Sequence, residues 1–414
     1  MRLSIILLGC LIQHRIYDSQ ARKKTVTDVL NDLFSGYDRR VRPHYEDGHP
    51  VVVTVGFTLL SIDTINVIDM DFSMDMFLRQ EWYDQRLDHK TNETVFLSNH
   101  VMDKIWLPDS YFVNAKDAKF HTVTTDNKMI MLSPGGRVQY NARVSVRLYC
   151  DMELRDFPMD TQYCPVVFES YGYSDRHITF VWELGMNTIP ERLKILPQYN
   201  LKEVALSTTY NVYVVGNWSG VKATFAFERT YSYFIYHVYA PSAIIVVISW
   251  IGFVLPRDKP PARITLGVTS VLTIVTVLNM LSNTVAKVNY VKRIDEYLIG
   301  CFLFVFCSLI EYSFVLLLAY RMKKYQRHSG KKDKKLLETK EKENGLLLEA
   351  DLGLPSKELA SYRKGNVSII RGSIRSFVYT ERFILAMDEY SLVVFPLGFL
   401  IFNVTYWGNT LKVF

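Results

Sequence analysis

The side chains best suited to chemistry in this chain are hydroxyls and amides inside an apolar segment, residues 264–286, which contains no charged residue. They recur at steps of three and four, so a helix would place them on one face. Thr and Asn on a membrane helix can instead bond to neighbouring helices. A stripe this continuous favours contact with water, and because one helix cannot enclose water, several copies must surround an axis. The stripe consists of Thr265, Thr269, Leu272, Thr276, Asn279 and Asn283.

Leu272 is the apolar residue in the middle of that stripe. A ring of leucines that narrows an otherwise polar pore can close it by excluding water. We therefore expect Leu272 to form a gate.

The start of the same segment, Pro260-Pro261-Ala262-Arg263, predicts an electropositive mouth. Proline suits the first turn of a helix, and a helix N-terminus carries partial positive charge. Arg263 would add charge if its side chain faced the mouth. No carboxylate occurs between Asp258 and the end of the segment, so several copies would repel cations and attract anions.

The composition predicts separate polar and membrane regions, since the 414 residues are 49% hydrophobic and 22% charged. Four stretches are about twenty residues long and apolar enough to span a bilayer: 232–255, 264–286, 297–320 and 390–408. Basic residues cluster after the third, which suits a cytoplasmic flank and an extracellular N-terminal region. The net charge of +6 is modest, and nucleic-acid binding is not expected.

The remaining segments divide as follows. Residues 1–22 have the pattern of a secretory signal peptide, with an uncertain cleavage site. Residues 23–230 alternate short β-type runs with turns and predict an extracellular β-sandwich, with one helix at 25–35. Residues 231–320 hold the first three spans. Residues 321–388 form a cytoplasmic linker, and its charged first part is expected to be mobile. The pattern at the end of the linker, residues 369–387, predicts an amphipathic helix. Residues 389–414 hold the fourth span and a short extracellular tail.

Cys150 and Cys164 are the only cysteines between the leader and the first span, and they predict a disulfide formed in an oxidising compartment. The loop that they enclose carries Phe157-Pro158-Met159-Asp160 and, together with four downstream spans, resembles the Cys-loop ligand-gated ion channels. Trp106-Leu-Pro-Asp109, Trp182 and the second and fourth spans extend the resemblance from about residue 25 onward. Pro-Ala-Arg at 261–263 is similar to the anion-selective branch.

The resemblance implies an immunoglobulin-like extracellular sandwich, a four-helix membrane bundle and five subunits around a central chloride pore. It implies a plasma-membrane, postsynaptic receptor whose partners are four further subunits, a small amino-acid or amine transmitter, chloride and membrane lipid. The chain has no phosphate loop, nucleophile elbow or metal-ligand cluster in its sequence, so neither an enzyme nor a cofactor is expected.

The resemblance also implies the ligand-binding residues. Cation–π attraction to aromatic rings and an ionic bond to Glu169 would hold an ammonium group, while Arg79 would clamp a carboxylate across a subunit interface. Glu-Ser-Tyr and Phe-x-Arg look most like γ-aminobutyric acid receptors, including invertebrate forms, although Val215, Trp218 and Asn141 depart from their pattern. The principal face would comprise Tyr111, Glu169, Ser170, Tyr171, Tyr213 and Trp218, and the complementary face Phe77, Arg79 and Asn141.

Coupling between binding and gating is implied for Phe157, Pro158, Asp160 and Arg229, which would meet the linker 288–293; simple attachment of the two regions is the alternative. Asn92 and Asn217 begin extracellular glycosylation sequons, and a glycan at Asn217 could crowd the ligand pocket. Other ligands stay open, namely glycine, glutamate, a biogenic amine or protons, as does a non-conducting subunit that needs a partner.

Overall fold

The computed structural model describes residues 25–90, 92–183, 185, 188–255, 260–347 and 386–411. These residues form two compact units. The first unit comprises the described residues up to Met152 together with Thr161–Arg229. The second comprises Glu153–Asp160 and the described residues from Thr230 onward. The predicted signal peptide and nearly all of the predicted amphipathic helix at 369–387 lie outside the described residues.

The first unit is a β-sandwich preceded by helix α1, Val26–Phe34, close to the predicted bounds. The strands are β1 Val51–Asn66, β2 Asp71–Tyr83, β3 Val95–Ser98, β4 Ser110–Phe112, β5 Ala115–Phe120, β6 Lys128–Ser133, β7 Arg137–Tyr149, β8 Thr161–Ser170, β9 Ile178–Trp182, β10 Tyr199–Tyr213 and β11 Gly216–Arg229. One sheet has the strand order β3-β6-β7-β2-β1-β9, with β5 also paired to β7, and the other has the order β10-β11-β8-β4.

Alternating side chains build the core of the sandwich. On β7 every second residue from Val138 to Leu148 is buried, as period-two patterning requires. Rings from the two sheets meet in the middle, where Phe72 of β2 lies 6.3 Å from Phe225 and 5.8 Å from Phe227 of β11. Burial of such rings on both inner faces fixes how the sheets pack.

The tight turn Ser-Pro-Gly-Gly at residues 133–136 joins β6 to β7. Gly136 has a φ of +77°, and a Cβ at this position would lie 2.3 Å from the carbonyl oxygen of Asp84. Glycine is therefore required both for the backbone conformation and for the close approach of this turn to the backbone of Asp84.

The second unit contains four helices that are long and apolar enough to cross a membrane: α2 Ser232–Val254, α3 Pro260–Thr284, the segment Arg293–Lys324 of α4, and α5 Ala386–Thr410. A π-helical turn, Ile235–Tyr239, lies just before Pro241 in α2. Proline has no N–H to donate and its ring crowds the carbonyl one turn earlier, so a widened turn accommodates it.

Helix α4 is longer than the sequence predicts, because it extends over Arg293–Leu347. The first part of the segment after residue 320, expected to be a mobile linker, is thus helical as far as Leu347. Lys, Glu and Leu dominate that part, and these residues lose little side-chain freedom in a helix, so the helix continues beyond its apolar segment.

Small residues allow the helices to pack closely. A Cβ at Gly267 of α3 would lie 2.3 Å from a methyl carbon of Leu309 on α4. The contact brings the backbone of α3 close to α4. The opposite side of α3 is left for other contacts.

Candidate functional site

The most distinctive site in the first unit is a buried carboxylate surrounded by donors. Glu169 on β8 is 1% exposed, and it pairs in register with Tyr111 of β4. The Tyr213 hydroxyl donates to Glu169 Oε1 at 2.7 Å, the Tyr111 hydroxyl donates to the same oxygen at 3.2 Å, and Asn211 Nδ2 donates to Oε2 at 2.8 Å. These three hydrogen bonds stabilise the buried carboxylate.

The two tyrosines respond to this negative charge. Burial and the charge of Glu169 raise the pKa of Tyr111 to about 12. Hydrogen bonding to Glu169, together with burial, raises the pKa of Tyr213. Both hydroxyls therefore keep their protons at neutral pH and act as donors to the carboxylate.

Aromatic rings form walls beside the carboxylate. Tyr171 is 78% exposed and lies edge-to-face with Tyr111, with ring centroids 5.6 Å apart. Trp218 of β11 is buried and lies edge-to-face with Tyr213, also at 5.6 Å. The four rings and Glu169 make a cage that suits an ammonium group.

Ser170 lies at the end of β8, beside the cage, and its predicted ligand contact stays a prediction. Its hydroxyl donates to Asp109 Oδ1 at 2.5 Å and accepts from the backbone N–H of Tyr173 at 2.9 Å. Asp109 Oδ2 also accepts from the backbone N–H of Gly172 at 2.6 Å. Ser170 and Asp109 thus hold the turn that carries Tyr171.

Asn211 is a site residue that the sequence-based interpretation missed. It lies two positions before Tyr213 on β10, so both side chains point to the same face of the strand. The period-two pattern could have identified it once Tyr213 was assigned. Its partner in register is Trp218, which places all three on the cage side of the hairpin.

Asn217 lies on the other face of that hairpin. It pairs with Val212 and is exposed, whereas the neighbouring pairs Asn211–Trp218 and Tyr213–Gly216 face the carboxylate. Because successive residues alternate between faces, a glycan on Asn217 would project away from the cage. Asn92, the other sequon residue, is also exposed.

The predicted complementary residues lie together on the other sheet. Arg79 of β2 pairs with Asn141 of β7, and Phe77, two residues earlier, is exposed on the same face. These residues line an open groove of about 580 Å³, together with Lys128. Arg79 Nη2 donates to Thr58 Oγ1 at 2.8 Å, which orients its guanidinium. Within the described residues, Asn141 Oδ1 is buried and has no hydrogen-bond partner.

All six residues of the predicted pore stripe, which begins at Thr265 and ends at Asn283, are exposed. The Thr269 and Thr276 hydroxyls donate to carbonyls of their own helix, at 2.7 Å to Thr265 O and Thr273 O. Leu272 is 61% exposed. Val268 lies one turn before Leu272 beside the stripe and is also exposed.

Pro261 and Ala262 are exposed as well, but Arg263 does not face the mouth. Its side chain is buried inside the helical bundle and lies 3.4 Å from Asp388 Oδ2. The condition for a direct contribution of Arg263 to the charge of the mouth, an outward-facing side chain, is therefore not met within this subunit. Arg263 lies 200° around an ideal helix from Thr265, which puts it on the packed side.

The segment enclosed by the disulfide contacts the linker between α3 and α4, within the second unit. The Tyr290 hydroxyl accepts from the backbone N–H of Leu154 at 2.8 Å, and the Arg293 N–H donates to Arg155 O at 2.9 Å. Arg293 also lies 3.5 Å from Asp156. These contacts come from residues just before the predicted tip.

All four predicted coupling residues are buried, namely Phe157, Pro158, Asp160 and Arg229. The Phe157 ring packs edge-to-face on Phe234 at 4.9 Å, and its carbonyl accepts from the Ile294 N–H at 3.3 Å. Asp160 is buried, and in the first unit the Arg229 guanidinium lies 4.6 Å from the centroid of the Tyr199 ring. The predicted Cys150–Cys164 disulfide is present, with the two residues 14 positions apart.

Comparison with known proteins places this architecture in a family. The model described as neurotransmitter-gated ion-channel ligand binding domain matches residues 26–231, and the model described as neurotransmitter-gated ion-channel transmembrane region matches residues 238–383. The chain belongs to the neurotransmitter-gated ion channels. It is 36% identical over 369 residues to the gamma-aminobutyric acid receptor subunit beta-4 of Gallus gallus, in an alignment that covers 85% of this chain and 75% of the relative.

These matches confirm the Cys-loop channel family, the sandwich followed by four apolar helices, and a ligand-gated anion channel subunit. The family consists of ion channels and not of enzymes. The four candidate spans make the chain a multi-pass membrane protein. The ligand is established only at the level of the family, as a neurotransmitter.

Proposed function

We propose that this chain is a subunit of a pentameric chloride channel of the plasma membrane, postsynaptic in location, that opens when γ-aminobutyric acid or a closely related amino acid binds between neighbouring subunits. The observation that carries the proposal is the buried Glu169 carboxylate, held by Tyr111, Tyr213 and Asn211 inside an aromatic cage. The name of the chicken relative supports the choice of ligand.

The two faces of the sandwich complement the two charges of an amino acid. The cage would bind the ammonium group through Glu169 and through cation–π attraction, about 0.5–2 kcal/mol for each ring in favourable contact. Arg79 on the groove of the neighbouring subunit would bind the carboxylate in bidentate fashion. Because the ligand then bridges two subunits, its binding favours the subunit arrangement in which both faces meet.

Chloride selectivity follows from the exposed face at the start of α3. Pro261 and Ala262 continue the stripe, since they lie four and three residues before Thr265. Within the described residues Pro260–Thr284 this face carries no carboxylate, and the helix N-terminus contributes partial positive charge. A ring of such termini would attract anions even with Arg263 buried, and the exposed Leu272 side chains would form the closed gate.

An agonist panel on cells that make this chain alone tests the function. We expect γ-aminobutyric acid to evoke a current whose reversal potential follows the chloride gradient, and glycine, glutamate, histamine, serotonin and acid to be weaker. Larger responses to another member of the panel would reassign the ligand. A surface-expressed chain that gives no current to any of them would favour a subunit that conducts only with a partner.

A pore variant tests the selectivity separately. Replacement of Ala262 by Glu, with Pro261 deleted, adds a ring of carboxylates to the exposed face. We expect the reversal potential to move toward the cation equilibrium potential. A reversal potential that still follows chloride would contradict the assignment of this face to the conduction path.

Coupling in the proposed channel is assigned to Phe157, Pro158, Asp160 and Arg229, around the disulfide-closed segment and the approach to α2. The Arg229→Ala channel is expected to reach the surface and bind ligand but to open less than the wild type. Normal opening with normal binding would favour the alternative, in which these residues only attach the two units.

A further inference from the structure

One buried side chain at the start of α3, that of Arg263, contacts the other three membrane helices of the subunit. Arg263 Nε donates to Leu255 O at 2.9 Å, and Nη2 donates to Phe253 O at 3.3 Å at the C-terminal end of α2. Its guanidinium lies 5.2 Å from the centroid of the Tyr312 ring on α4. Nη2 also lies 3.4 Å from Asp388 Oδ2 on α5.

Each of these contacts has a physical reason. The last carbonyls of a helix have no partner inside the helix, so a cation that caps them stabilises the end of α2. Arginine stays charged in proteins, and a buried guanidinium therefore needs an anion nearby. Asp388 supplies that anion, and its own side chain is buried as well.

The first turn of α5 is attached to the bundle at a second point. Ser391, one turn after Asp388, donates from its hydroxyl to Glu311 Oε1 on α4 at 3.2 Å. Glu311 directly precedes Tyr312, which stacks on Arg263. The hydrogen bond between Ser391 and Glu311 thus helps to fix the part of α5 that carries Asp388, in addition to the contact between Asp388 and Arg263.

We propose that Asp388 is a positioning residue for permeation: through Arg263 it fixes the rotation of α3 about its own axis, and so determines which side chains face the conduction path. The inference rests on the proposed pore function of α3. A rotation by one residue, about 100°, would replace Thr265 by Leu266 on the exposed side. The residues in line with Arg263 agree with such a fixed phase, because Ser270, Ile274 and Leu281 are the other buried positions of α3.

Cysteine accessibility measures this rotation. Thr265→Cys and Leu266→Cys are made in the wild type and in Asp388→Asn, and a charged thiol reagent is applied from the cytoplasmic side during γ-aminobutyric acid-evoked current. We expect Asp388→Asn to slow modification at Thr265→Cys by at least about fivefold and to speed modification at Leu266→Cys, because an unpaired buried guanidinium no longer holds its position. Channels without an introduced cysteine control for Cys301 and Cys307.

Glu389→Gln is the matched control, since it removes the same charge from the next residue, which is exposed. It should leave both modification rates within about twofold of the wild-type values, as expected for an exposed charge. Unchanged rates in a surface-expressed Asp388→Asn channel would overturn the proposal, and so would equal changes in the Glu389→Gln channel.

Surface expression decides the case in which Asp388→Asn does not assemble. If Asp388 acts through Arg263, the double variant Arg263→Gln/Asp388→Asn should reach the surface at least about fivefold better than Asp388→Asn alone, because the unpaired charge is gone. A double variant that is no better refutes the pairing. This measurement needs no current, so it stands apart from a failure of the proposed function, which would appear as a wild-type chain without agonist-evoked chloride current.

Discussion

Replacement of Glu169 by glutamine should remove the negative charge from the aromatic cage and leave the shape of the cage unchanged. The amide oxygen can accept from Asn211 Nδ2 in place of Oε2, whose distance is 2.8 Å. The amide nitrogen can then donate to the hydroxyls of Tyr111 and Tyr213, which can turn to accept. We therefore expect Glu169→Gln subunits to fold and to reach the surface.

The loss of affinity follows from the burial of this carboxylate. Glu169 is 1% exposed, so water and salt screen its attraction for a bound ammonium group very little. Loss of one partner from a buried, hydrogen-bonded charge pair costs about 2–5 kcal/mol. Since about 1.4 kcal/mol is a factor of ten in affinity, the dissociation constant should rise by about thirtyfold or more.

The assay measures agonist binding and concentration–response curves on the same cells, so that weaker binding is distinguished from impaired opening. Glu203→Gln is the matched control, because Glu203 is an exposed carboxylate on β10 of the same sheet. A shift below about threefold in Glu169→Gln, or an equal shift in Glu203→Gln, would refute the assignment of Glu169 as the ammonium partner.

Three further predictions concern other sites. Asn217→Gln should increase gel mobility by removing a glycan and change the half-maximal agonist concentration by less than about twofold, since Asn217 faces away from the cage; a tenfold change would show that the glycan reaches the ligand. Joint replacement of Cys150 and Cys164 by serine should greatly reduce surface labelling, because the 14-residue closure contributes about 3 kcal/mol, and normal labelling would contradict this. Burial raises the pKa of Asp75, but hydrogen bonds from Arg143 at 2.5 and 3.1 Å hold it below its usual range overall. The resulting stability is present at neutral pH and is lost as the pH falls below about 4, so the excess in melting temperature of the purified wild type over Asp75→Asn should shrink in acid; an excess that grows in acid would reverse the assigned sign.

Much of the fold could be predicted because its patterns are local. Alternating burial on β7, the glycine turn at 133–136 and four long apolar runs each depend on residues close together in the chain. The extension of α4 to Leu347 was not predicted, since a charged, aromatic-poor segment was interpreted as mobile although its residues are good helix formers. Composition alone did not separate a charged helix from a coil.

The ligand cage was only partly predictable because it depends on strand register. Tyr111 lies 58 residues from Glu169, and Tyr213 lies 44 residues from it, so no local pattern brings their hydroxyls to one carboxylate. The resemblance identified these residues, but it did not identify Asn211 or the role of Ser170 in holding the turn with Asp109. Both depend on which atoms meet once β4, β8 and β10 are paired.

The position of Arg263 around the axis of α3 follows from helical periodicity in the sequence. Counting in helical steps from the exposed stripe places Pro261 and Ala262 on the stripe and Arg263 on the opposite side. Its nearest in-phase residues are Ser270 and Ile274, both buried. A positive residue beside a pore mouth suggests a direct role in attracting anions, but the helical phase turns Arg263 away from the exposed face of α3. In the proposed channel, the charge of Arg263 would act indirectly, through a pairing with Asp388 that keeps the polar face of α3 turned outward from the bundle.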